Sequence, residues 1–563
     1  MSVLKRFILA ALAGLLAASG AVAKPPLRAT VMVAAAEPDA VDAGLKVLRR
    51  GGTAVDAAVA VQAVLGLEEP QSSSLAGGAF LTYYDARTRK VLAYNGRETA
   101  PAGATPDMFL GPDGRPLPHG VAVLSGRSAG VPGAIAMLHL AQSRHGALAW
   151  SSLFEDAETL ASRGFKVPLR LANAAAGKSG AAGAPDARAY FTKTDGTLIQ
   201  AGDILRNPAY AATVRRLARE GPKALLQGAI AQAIVDKLHE GPLPGTMTLA
   251  DLAAYRAKAT PALCRPHRRY LVCVPPAPSG GPAVLQGLGL LARTDIAAHP
   301  NDAEGWYLFS QASRLMYADR DRYMGDPDFV DVPTDGLLDP AYLDQRAGLI
   351  GPVPGPPPQP GTPKGAGVRA PDRTLEPGGT THFVIVDKAG NVVSMTTTVE
   401  SVFGDGRMVG GFFLNNQLTD FSSLPVAADG APAANAVGPG KRPRSSMAPA
   451  IVLDRKGRFV AAVGSPGGPS ILAFNLKALI GVLDWKLPIQ QAINLPNLIA
   501  FGTLYASEPD KFRPGVVDAL SARGVKLTGG PFGENSGLIG IEATPNGLRG
   551  GADPRREGLA KGY

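Results

Sequence analysis

Two adjacent threonines, Thr380 and Thr381, open a stretch whose alternating apolar residues predict a β-strand. The preceding segment, 351–379, is rich in proline and glycine without helical or strand periodicity, which predicts an exposed, irregular linker. A cut between Gly379 and Thr380 would free an α-amino group, of pKa about 8, beside the threonine hydroxyl. That amine could activate the hydroxyl as a nucleophile for amide hydrolysis. An ordinary strand behind a domain linker fits the same two features.

The elements around these threonines predict a mixed α+β protein. The sequence THFVIVDKAGNVVSMTTTVE alternates, turns at 388–391 and alternates again, which indicates a β-hairpin. Helical patterns cover 37–50 and 56–67, dominate 124–350 with an amphipathic stretch at 303–323, and resume at Ile471. Further strand pairs are predicted at 79–95 and at 449–464. These patterns alone give the class α+β and no finer topology.

Composition bounds the class of protein and its compartment. The chain has 563 residues, 45% of them hydrophobic and 18% charged, enough for two ordinary domains or one large layered one. Residues 1–23 combine Lys5, Arg6, an apolar run and an Ala-Val-Ala end, which predicts a signal peptide and a periplasmic protein. No segment predicts a membrane span. The basic residues are scattered without interleaved aromatic residues, so we expect no nucleic-acid partner.

The two cysteines, Cys264 and Cys273, flank a stretch that reads as two short strands and a turn. Export to an oxidising compartment makes a disulfide between them possible. Two cysteines cannot form a structural zinc site alone, and no histidine motif supplies the missing ligands. We therefore expect no metal and no cofactor.

Long ordered motifs carry a resemblance to the γ-glutamyltransferase (glutathione hydrolase) family. They are GGTAVDAAVAVQAVLGLEEPQ, YNGRETAP, YLVCVPPAPSGG, YADRDRYMGDPDFV, THFVIVDKAGNVVSMTTTVESVFGDG, GGFFLNNQLTDFS, GPGKRPRSSMAP, VGSPGGPS and ADPRREGLAKGY. The resemblance covers nearly the whole chain after residue 30. It implies the four-layer αββα sandwich of N-terminal nucleophile hydrolases, processed into a large subunit (24–379) and a small subunit (380–563). It also implies small-molecule γ-glutamyl substrates.

Residue by residue, the resemblance implies a complete site. Its predicted catalytic residues are Thr380 as nucleophile, Thr398 as the hydroxyl that holds the nucleophile's amine, and Gly467 and Gly468 as the oxyanion glycines. Its predicted substrate-binding residues are Arg97, Ser445 and Ser446 for a carboxylate, and Glu400, Gln417 and Asp420 for an ammonium group. Arginine suits the first task because its guanidinium can bind a carboxylate through two hydrogen bonds.

Taken singly, the same residues have ordinary interpretations. Arg97 could form a surface salt bridge, Asp420 a cap, Thr398 a strand-face hydroxyl, and the two glycines a tight turn or an anion-binding nest. His382, two residues after Thr380, is interpreted as structural, because an N-terminal threonine supplies its own base.

Three features of the chain depart from the family's pattern. Glu400 replaces an asparagine found in many members, 421–435 is short and lacks tyrosine, and 74–80 is less glycine-rich. Two alternatives stay open: a glutaryl-type acylase of the same fold, and a non-catalytic periplasmic binding protein. Glu400 and Asp420 together favour a substrate that carries an ammonium group.

Overall fold

The computed structural model describes residues 29–178, 180–372, 374, 376, 378–530 and 536–563. The predicted signal peptide, 1–23, lies outside the described residues. Within these ranges no helix is both long and apolar enough to cross a membrane.

The first of two large sheets contains the strand whose second residue is the candidate nucleophile, Thr380. All neighbouring strands in it run antiparallel. Across the described part of this sheet the seven strands follow the order Leu559–Gly562, Met32–Ala35, Gly379–Val386, Val392–Glu400, Gly78–Asp85, Lys90–Gly96 and Lys258–Pro261.

The second large sheet is also antiparallel throughout. Its six strands, among the residues described, follow the order Gly547–Ala552, Ile539–Thr544, Phe459–Gly464, Ala450–Asp454, Tyr270–Val274 and Leu263–His267. Outside both sheets, the described ranges contain three short strand pairs: Phe165–Lys166 with Ile204–Leu205, Met408–Val409 with Phe412–Phe413, and Leu498–Phe501 with Leu504–Ser507.

The two sheets pack face to face through one set of alternate side chains. Val384 and Val386 from the first sheet meet Ile451 and Ile541 from the second in one buried cluster. The intervening residues, such as Ile385, point the other way into a cluster with helices. Successive strand residues point to opposite faces, so each apolar strand serves two interfaces at once.

Helices cover the outer face of each sheet. The layer on the first sheet comprises Pro38–Arg49, Ala54–Glu68, Ala134–His145, Glu155–Arg163, Leu169–Ala175, Pro185–Phe191, Pro208–Glu220, Lys223–Leu226, Gly228–Leu238 and Leu249–Ala254. The layer on the second comprises Gly281–Leu291, Ala303–Tyr323, Pro340–Ala347, Ile471–Leu483, Ile489–Asn494 and Val516–Ala522. Two short helices, His119–Val123 and Thr334–Leu337, lie outside these layers. The predicted four-layer αββα sandwich is confirmed.

Two local expectations were wrong. The helix Ala303–Tyr323 is not amphipathic: 16 of its 21 residues are buried, because it packs among helices and the strand Leu498–Phe501. The linker 351–379 lacks helix in its described part, as predicted, but it is not exposed throughout. Asp372 and Glu376 are buried, because both carboxylates pair with buried arginines.

The two cysteines lie directly opposite each other on adjacent strands of the second sheet. Cys264 belongs to Leu263–His267 and Cys273 to Tyr270–Val274, and the register pairs them. Their sulfur atoms are bonded, with an Sγ–Sγ distance of 2.07 Å. The bond closes a short hairpin at the edge of that sheet.

Candidate active site

Thr380 and Thr398 face each other across the central strands of the first sheet. We call Gly379–Val386 the nucleophile strand and Val392–Glu400 the partner strand. Their antiparallel register places Thr398 opposite Thr380, and the two Oγ1 atoms are 3.0 Å apart. Thr380 shares its face of the strand with Val384, which packs between the sheets. The hydroxyl therefore points into the space between the two sheets.

The hydrogen bonds around Thr398 determine where its proton lies. Its hydroxyl donates to the carbonyl oxygen of Gly379 at 2.8 Å and accepts from the backbone N–H of Glu400 at 2.9 Å. A hydroxyl has one proton to donate, so Thr380 must be the donor in the bond between the two threonines. Thr398 thus polarises the carbonyl before Thr380 while accepting a hydrogen bond from the hydroxyl that would attack it.

The start of the nucleophile strand has room for glycine alone. The strand register shifts between Thr398 and Glu400, so that Gly379 pairs with Glu400. A Cβ atom on Gly379 would lie 2.3 Å from the carbonyl oxygen of Glu400 and 2.5 Å from the carbonyl carbon of Ser401. Glu400 itself has a φ of +78°, a strained value for a residue with a side chain. The irregularity carries the Glu400 side chain into the cavity beside Thr380.

A glycine turn from the second sheet lies next to this strand end. Gly467 and Gly468 have φ values of +132° and +57°, and they connect the strand Phe459–Gly464 to the helix Ile471–Leu483. A Cβ atom on Gly378 would lie 3.7 Å from the backbone nitrogen of Gly468. The segment before Thr380 therefore passes close to the backbone of the turn, where N–H groups can stabilise developing negative charge.

One small cavity brings most of the predicted site residues together. Its lining residues are Arg97, Glu376, Thr380, Thr398, Glu400, Gln417, Asp420, Ser445, Ser446, Met447, Gly468 and Ile471. Of the predicted catalytic and substrate-binding residues, Gly467 alone is absent from this lining, and it precedes Gly468 in the turn. Residues separated by more than 300 positions thus meet at one end of the sandwich.

One wall of the cavity presents three acceptor atoms without partners. These are Oε1 of Glu400, Oε1 of Gln417 and Oδ1 of Asp420, all buried. The second oxygen of Glu400 accepts from Asn416 and, at 2.6 Å, from the Ser401 hydroxyl. The second oxygen of Asp420 accepts from Gln417 Nε2 at 2.6 Å. These bonds hold the side chains in place, and no donor of the described residues reaches the three remaining oxygen atoms. When Glu400 or Asp420 is protonated, the two carboxyl groups hydrogen-bond to each other, and a bound cation would replace that shared proton.

The pKa values of both acids on this wall are raised above their ordinary values. Burial raises the pKa of Glu400 well above its usual range, and the neighbouring Asp420 raises it further. Burial also raises the pKa of Asp420, although Arg97 opposes the shift. Burial disfavours each charge and the two like charges repel, so a bound cation would stabilise the ionised pair.

Arg97 lies at the end of the strand Lys90–Gly96 and is almost fully buried. Its Nη2 donates to Asp420 Oδ2 at 2.5 Å and to the Arg444 carbonyl at 2.6 Å, while Nε donates to the Pro443 carbonyl at 3.1 Å. Its Nη1 lies 3.8 Å from Glu98 Oε2. The guanidinium is therefore an ion-pair partner of Asp420, a contact that the sequence interpretation did not include.

Sequence reasoning missed a second group of charged residues on the other side of the cavity. The Glu376 carboxylate accepts hydrogen bonds from Arg320 Nη2 at 2.6 and 2.7 Å, from Arg444 Nε at 3.1 Å and from the Ser446 hydroxyl at 2.6 Å. Burial alone would raise the pKa of Glu376, but the two guanidinium groups outweigh it and hold that pKa below its usual value. The two arginines lie inside motifs quoted above, whereas Glu376 lies in a segment with no periodicity.

Ser445 and His382 each form a side-chain hydrogen bond within the described residues. The Ser445 hydroxyl accepts from the backbone N–H of Met447 at 3.1 Å, which fixes the turn that presents Ser446. His382 lies between the sheets with Nδ1 2.9 Å from the Thr396 hydroxyl. Burial lowers the pKa of His382 to about 3. A neutral ring held in the core is consistent with a structural role.

Together the αββα fold, a threonine that opens a central strand and the glycine turn beside it define the N-terminal nucleophile hydrolase class. A family model described as "Gamma-glutamyltranspeptidase" matches residues 40–563. A glutathione hydrolase proenzyme of Bacillus subtilis is 35% identical over 547 residues, covering 94% of this chain and 91% of that protein. An acylase ACY 1 proenzyme of a Pseudomonas strain is 31% identical over 539 residues, covering 94% and 92%.

A solved structure of cephalosporin acylase from Bacillus halodurans has the same fold. Its TM-score is 0.81 at 24% identity, and the match covers 95% of this chain and 96% of that one. On the family match and the relatives above, the chain belongs to the gamma-glutamyltranspeptidase family. Members with proenzyme names indicate that the chain is processed into two subunits.

Proposed function

We propose that this protein cuts itself between Gly379 and Thr380 and then hydrolyses or transfers γ-glutamyl groups from glutathione and related amides. The observation that carries the proposal is the set of three unpartnered acceptors on Glu400, Gln417 and Asp420. An ammonium group has three donors and a positive charge, so it would satisfy all three atoms at once. The α-ammonium of a γ-glutamyl group supplies that cation.

Self-cleavage would begin at the threonine pair. Thr380 Oγ attacks the Gly379 carbonyl carbon as its proton passes toward Thr398, and the backbone N–H groups of Gly467 and Gly468 stabilise the oxyanion. The Gly379–Thr380 amide bond breaks, its nitrogen takes the proton that Thr398 relays from the Thr380 hydroxyl, and an ester joins the two residues. Water hydrolyses that ester, which leaves a Gly379 carboxylate and a free Thr380 amine.

The freed amine then serves as the base for turnover. It takes the Thr380 hydroxyl proton while Oγ attacks the γ-carbonyl of the donor, and the leaving amine departs with a proton. The resulting γ-glutamyl ester is resolved by water or by the amine of an acceptor amino acid or peptide. Arg97, Ser445 and Ser446 are proposed to hold the donor's α-carboxylate during both steps.

A glutaryl-type acylase is the second candidate, supported by the similarity to the acylase proenzyme. A glutaryl group lacks the ammonium, so it would leave the three acceptors of Glu400, Gln417 and Asp420 without donors. An unsatisfied buried polar group costs about 1–3 kcal/mol. The acceptor atoms of Glu400, Gln417 and Asp420 therefore favour a γ-glutamyl substrate over a glutaryl substrate. We further propose that the product of 1–23 removal is a periplasmic heterodimer of 24–379 and 380–563.

The test compares two chromogenic anilides, γ-glutamyl and glutaryl, at matched concentrations with purified protein. We expect cleavage of the γ-glutamyl compound with a kcat/KM at least tenfold higher. Denaturing gels should show two chains, with Thr380 as the N-terminus of the smaller one, and Thr380→Ala should remain one inactive chain. A preference for the glutaryl anilide would replace the substrate assignment. An active chain that is never cut would refute the mechanism.

A further inference from the structure

The residues that bind the Glu376 carboxylate form a site for a carboxylate. Arg320 comes from the helix Ala303–Tyr323, while Arg444 and Ser446 come from the segment before the strand Ala450–Asp454. All three side chains are buried, and each donates a hydrogen bond to the same carboxylate. Buried guanidinium groups persist where a fixed anion pairs with them. The anion in this structure is a residue of the segment that ends at the proposed cut.

The segment 351–379 supplies most of the negative charge that balances Arg320 and Arg444. Arg444 also contacts Asp372 Oδ2 at 3.2 Å, another residue of the segment, and Arg320 contacts Asp321 at 2.9 Å. If Glu376 and Asp372 leave after the cut, Asp321 is the one remaining acidic residue in the described part of the chain that forms ion pairs with both guanidinium groups. Two positive charges would then face one negative charge. The vacated site would attract an anion of the size of a carboxylate.

The direction of the chain indicates which carboxylate that is. Glu376 precedes the Gly379 carbonyl, so it belongs to the acyl side of the bond that Thr380 attacks. The acyl group of a substrate must extend from Thr380 in the same direction, and the cavity wall there contains Ser446 and Glu376 itself. The carboxylate that replaces Glu376 would therefore belong to the acyl donor and not to the leaving group or acceptor.

Arg97 is poorly placed to bind that carboxylate alone. Its Nε and Nη2 already donate to two carbonyl oxygens and to Asp420. We propose that Arg320, Arg444 and Ser446 form a carboxylate subsite that Glu376 occupies until the chain is cut, and that the donor's carboxylate takes afterwards. This inference rests on the proposed function, and it adds two arginines and an internal occupant to the site.

Binding of glutarate to uncut protein tests the subsite without any catalytic step. Glutarate carries a carboxylate at the end of a short chain and has no ammonium for Glu400 or Asp420 to attract. The background variant is Thr380→Ala, and titration calorimetry measures affinity. We expect glutarate to bind Thr380→Ala/Glu376→Ala at least tenfold more tightly than Thr380→Ala. Adding Arg444→Met to the double variant should remove that gain.

Two further variants control the experiment. Thr380→Ala/Asp372→Ala loses the other segment carboxylate on Arg444 but keeps Glu376 in the subsite, so it should bind glutarate as weakly as Thr380→Ala. Thr380→Ala/Glu376→Gln keeps the side-chain shape, and it serves if the alanine variant does not fold. Its stabilisation by glutarate in thermal unfolding should exceed that of Thr380→Ala, because a neutral amide holds the arginines less strongly.

Equal glutarate binding by Thr380→Ala and both Glu376 variants would overturn the subsite, as would a gain that survives Arg444→Met. Failure of the subsite can be distinguished from failure of the proposed function. An enzyme that cleaves γ-glutamyl anilide while its Glu376 variants gain no glutarate binding would keep its function and lose this subsite. A chain whose Glu376 variants gain glutarate binding but that never cleaves γ-glutamyl anilide would keep this subsite and lose the proposed function.

Discussion

Replacing Glu400 by glutamine removes one negative charge from the wall of unpartnered acceptors while nearly preserving its shape. Glu400 Oε2 accepts from Ser401 and Asn416, and Oε1 faces the cavity without a partner. In the glutamine variant the side-chain oxygen can keep the Ser401 and Asn416 bonds. The cavity then receives an amide NH₂ group, which cannot accept a hydrogen bond from an ammonium.

The expected cost follows from the type of bond that is lost. A hydrogen bond to a charged group contributes about 1.5–3 kcal/mol, against about 0.5–1.5 for a neutral one. Because the variant presents no acceptor at this position, the whole charged bond is lost, and its lower limit of about 1.5 kcal/mol corresponds to slightly more than a tenfold change in an equilibrium constant. The ammonium is remote from the scissile bond and contacts Glu400 in both ground and transition states. The loss should therefore raise KM about tenfold and leave kcat nearly unchanged.

Steady-state kinetics with γ-glutamyl and glutaryl anilides measure the effect. Glu400→Gln should raise KM for the γ-glutamyl compound only, since the glutaryl group has no ammonium. In the wild type, this KM should also rise as pH falls, because the raised pKa of Glu400 lets it protonate and lose its attraction for the cation. The variant should lose that part of the pH dependence. Ser401→Ala, which keeps the charge, is the matched control and should change KM less. Equal effects on both substrates would refute the assignment of this wall to an ammonium.

Three further outcomes are expected. Thr398→Val should slow self-cleavage at least tenfold on timed gels, because the Gly379 carbonyl and the Glu400 N–H each lose a buried partner. Thr398→Ser should cleave normally, and equal rates for the two variants would contradict the role of the threonine pair. Burial raises the pKa of Glu98 to about 8, so its protonated form stabilises the fold below pH 4.5 and this contribution is lost as pH rises toward 8. Glu98→Gln should flatten the urea-unfolding free energy of uncut Thr380→Ala across that window, by up to about 1.4 kcal/mol per pH unit; parallel curves would contradict the shift. Replacing Cys264 and Cys273 by serine should lower the same free energy by about 2–3 kcal/mol, while an unchanged urea midpoint would show that the bond adds nothing.

Periodicity predicted the elements of the sandwich well, because most of them follow a strong local pattern. The helix Ala54–Glu68 and the hairpin from Gly379 to Glu400 lie where alanine-rich and alternating stretches indicated. Charge and composition did not predict the buried ion pairs of the segment before Thr380. Its proline and glycine content describes a linker, and nothing in it reveals that Glu376 meets Arg320 across 56 positions of sequence. Such pairings depend on tertiary structure, which a local pattern does not contain.

In the candidate site, too, the sequence predicted the individual residues but not their contacts with one another. Motif resemblance identified Arg97 and Asp420 separately, as binders of opposite charges on a substrate. Their mutual ion pair at 2.5 Å arises because the strand ending at Gly96 and the short turn Gln417–Asp420 meet at one corner of the sandwich. Residue type predicted what each side chain can bind. Only the fold determines which of these groups are already bound to each other.

The order of strands in the first sheet has a consequence for assembly. If the chain is cut before Thr380 as proposed, the strand Met32–Ala35 of one product lies between two strands of the other, 380–386 and Leu559–Gly562. The second sheet likewise joins Tyr270–Val274 to Ala450–Asp454. The two products are interleaved through both hydrogen-bonded ladders, so separating them means unfolding them. Such a pair has no dissociation constant distinct from its stability, and mature dimers mixed in one solution would not exchange partners.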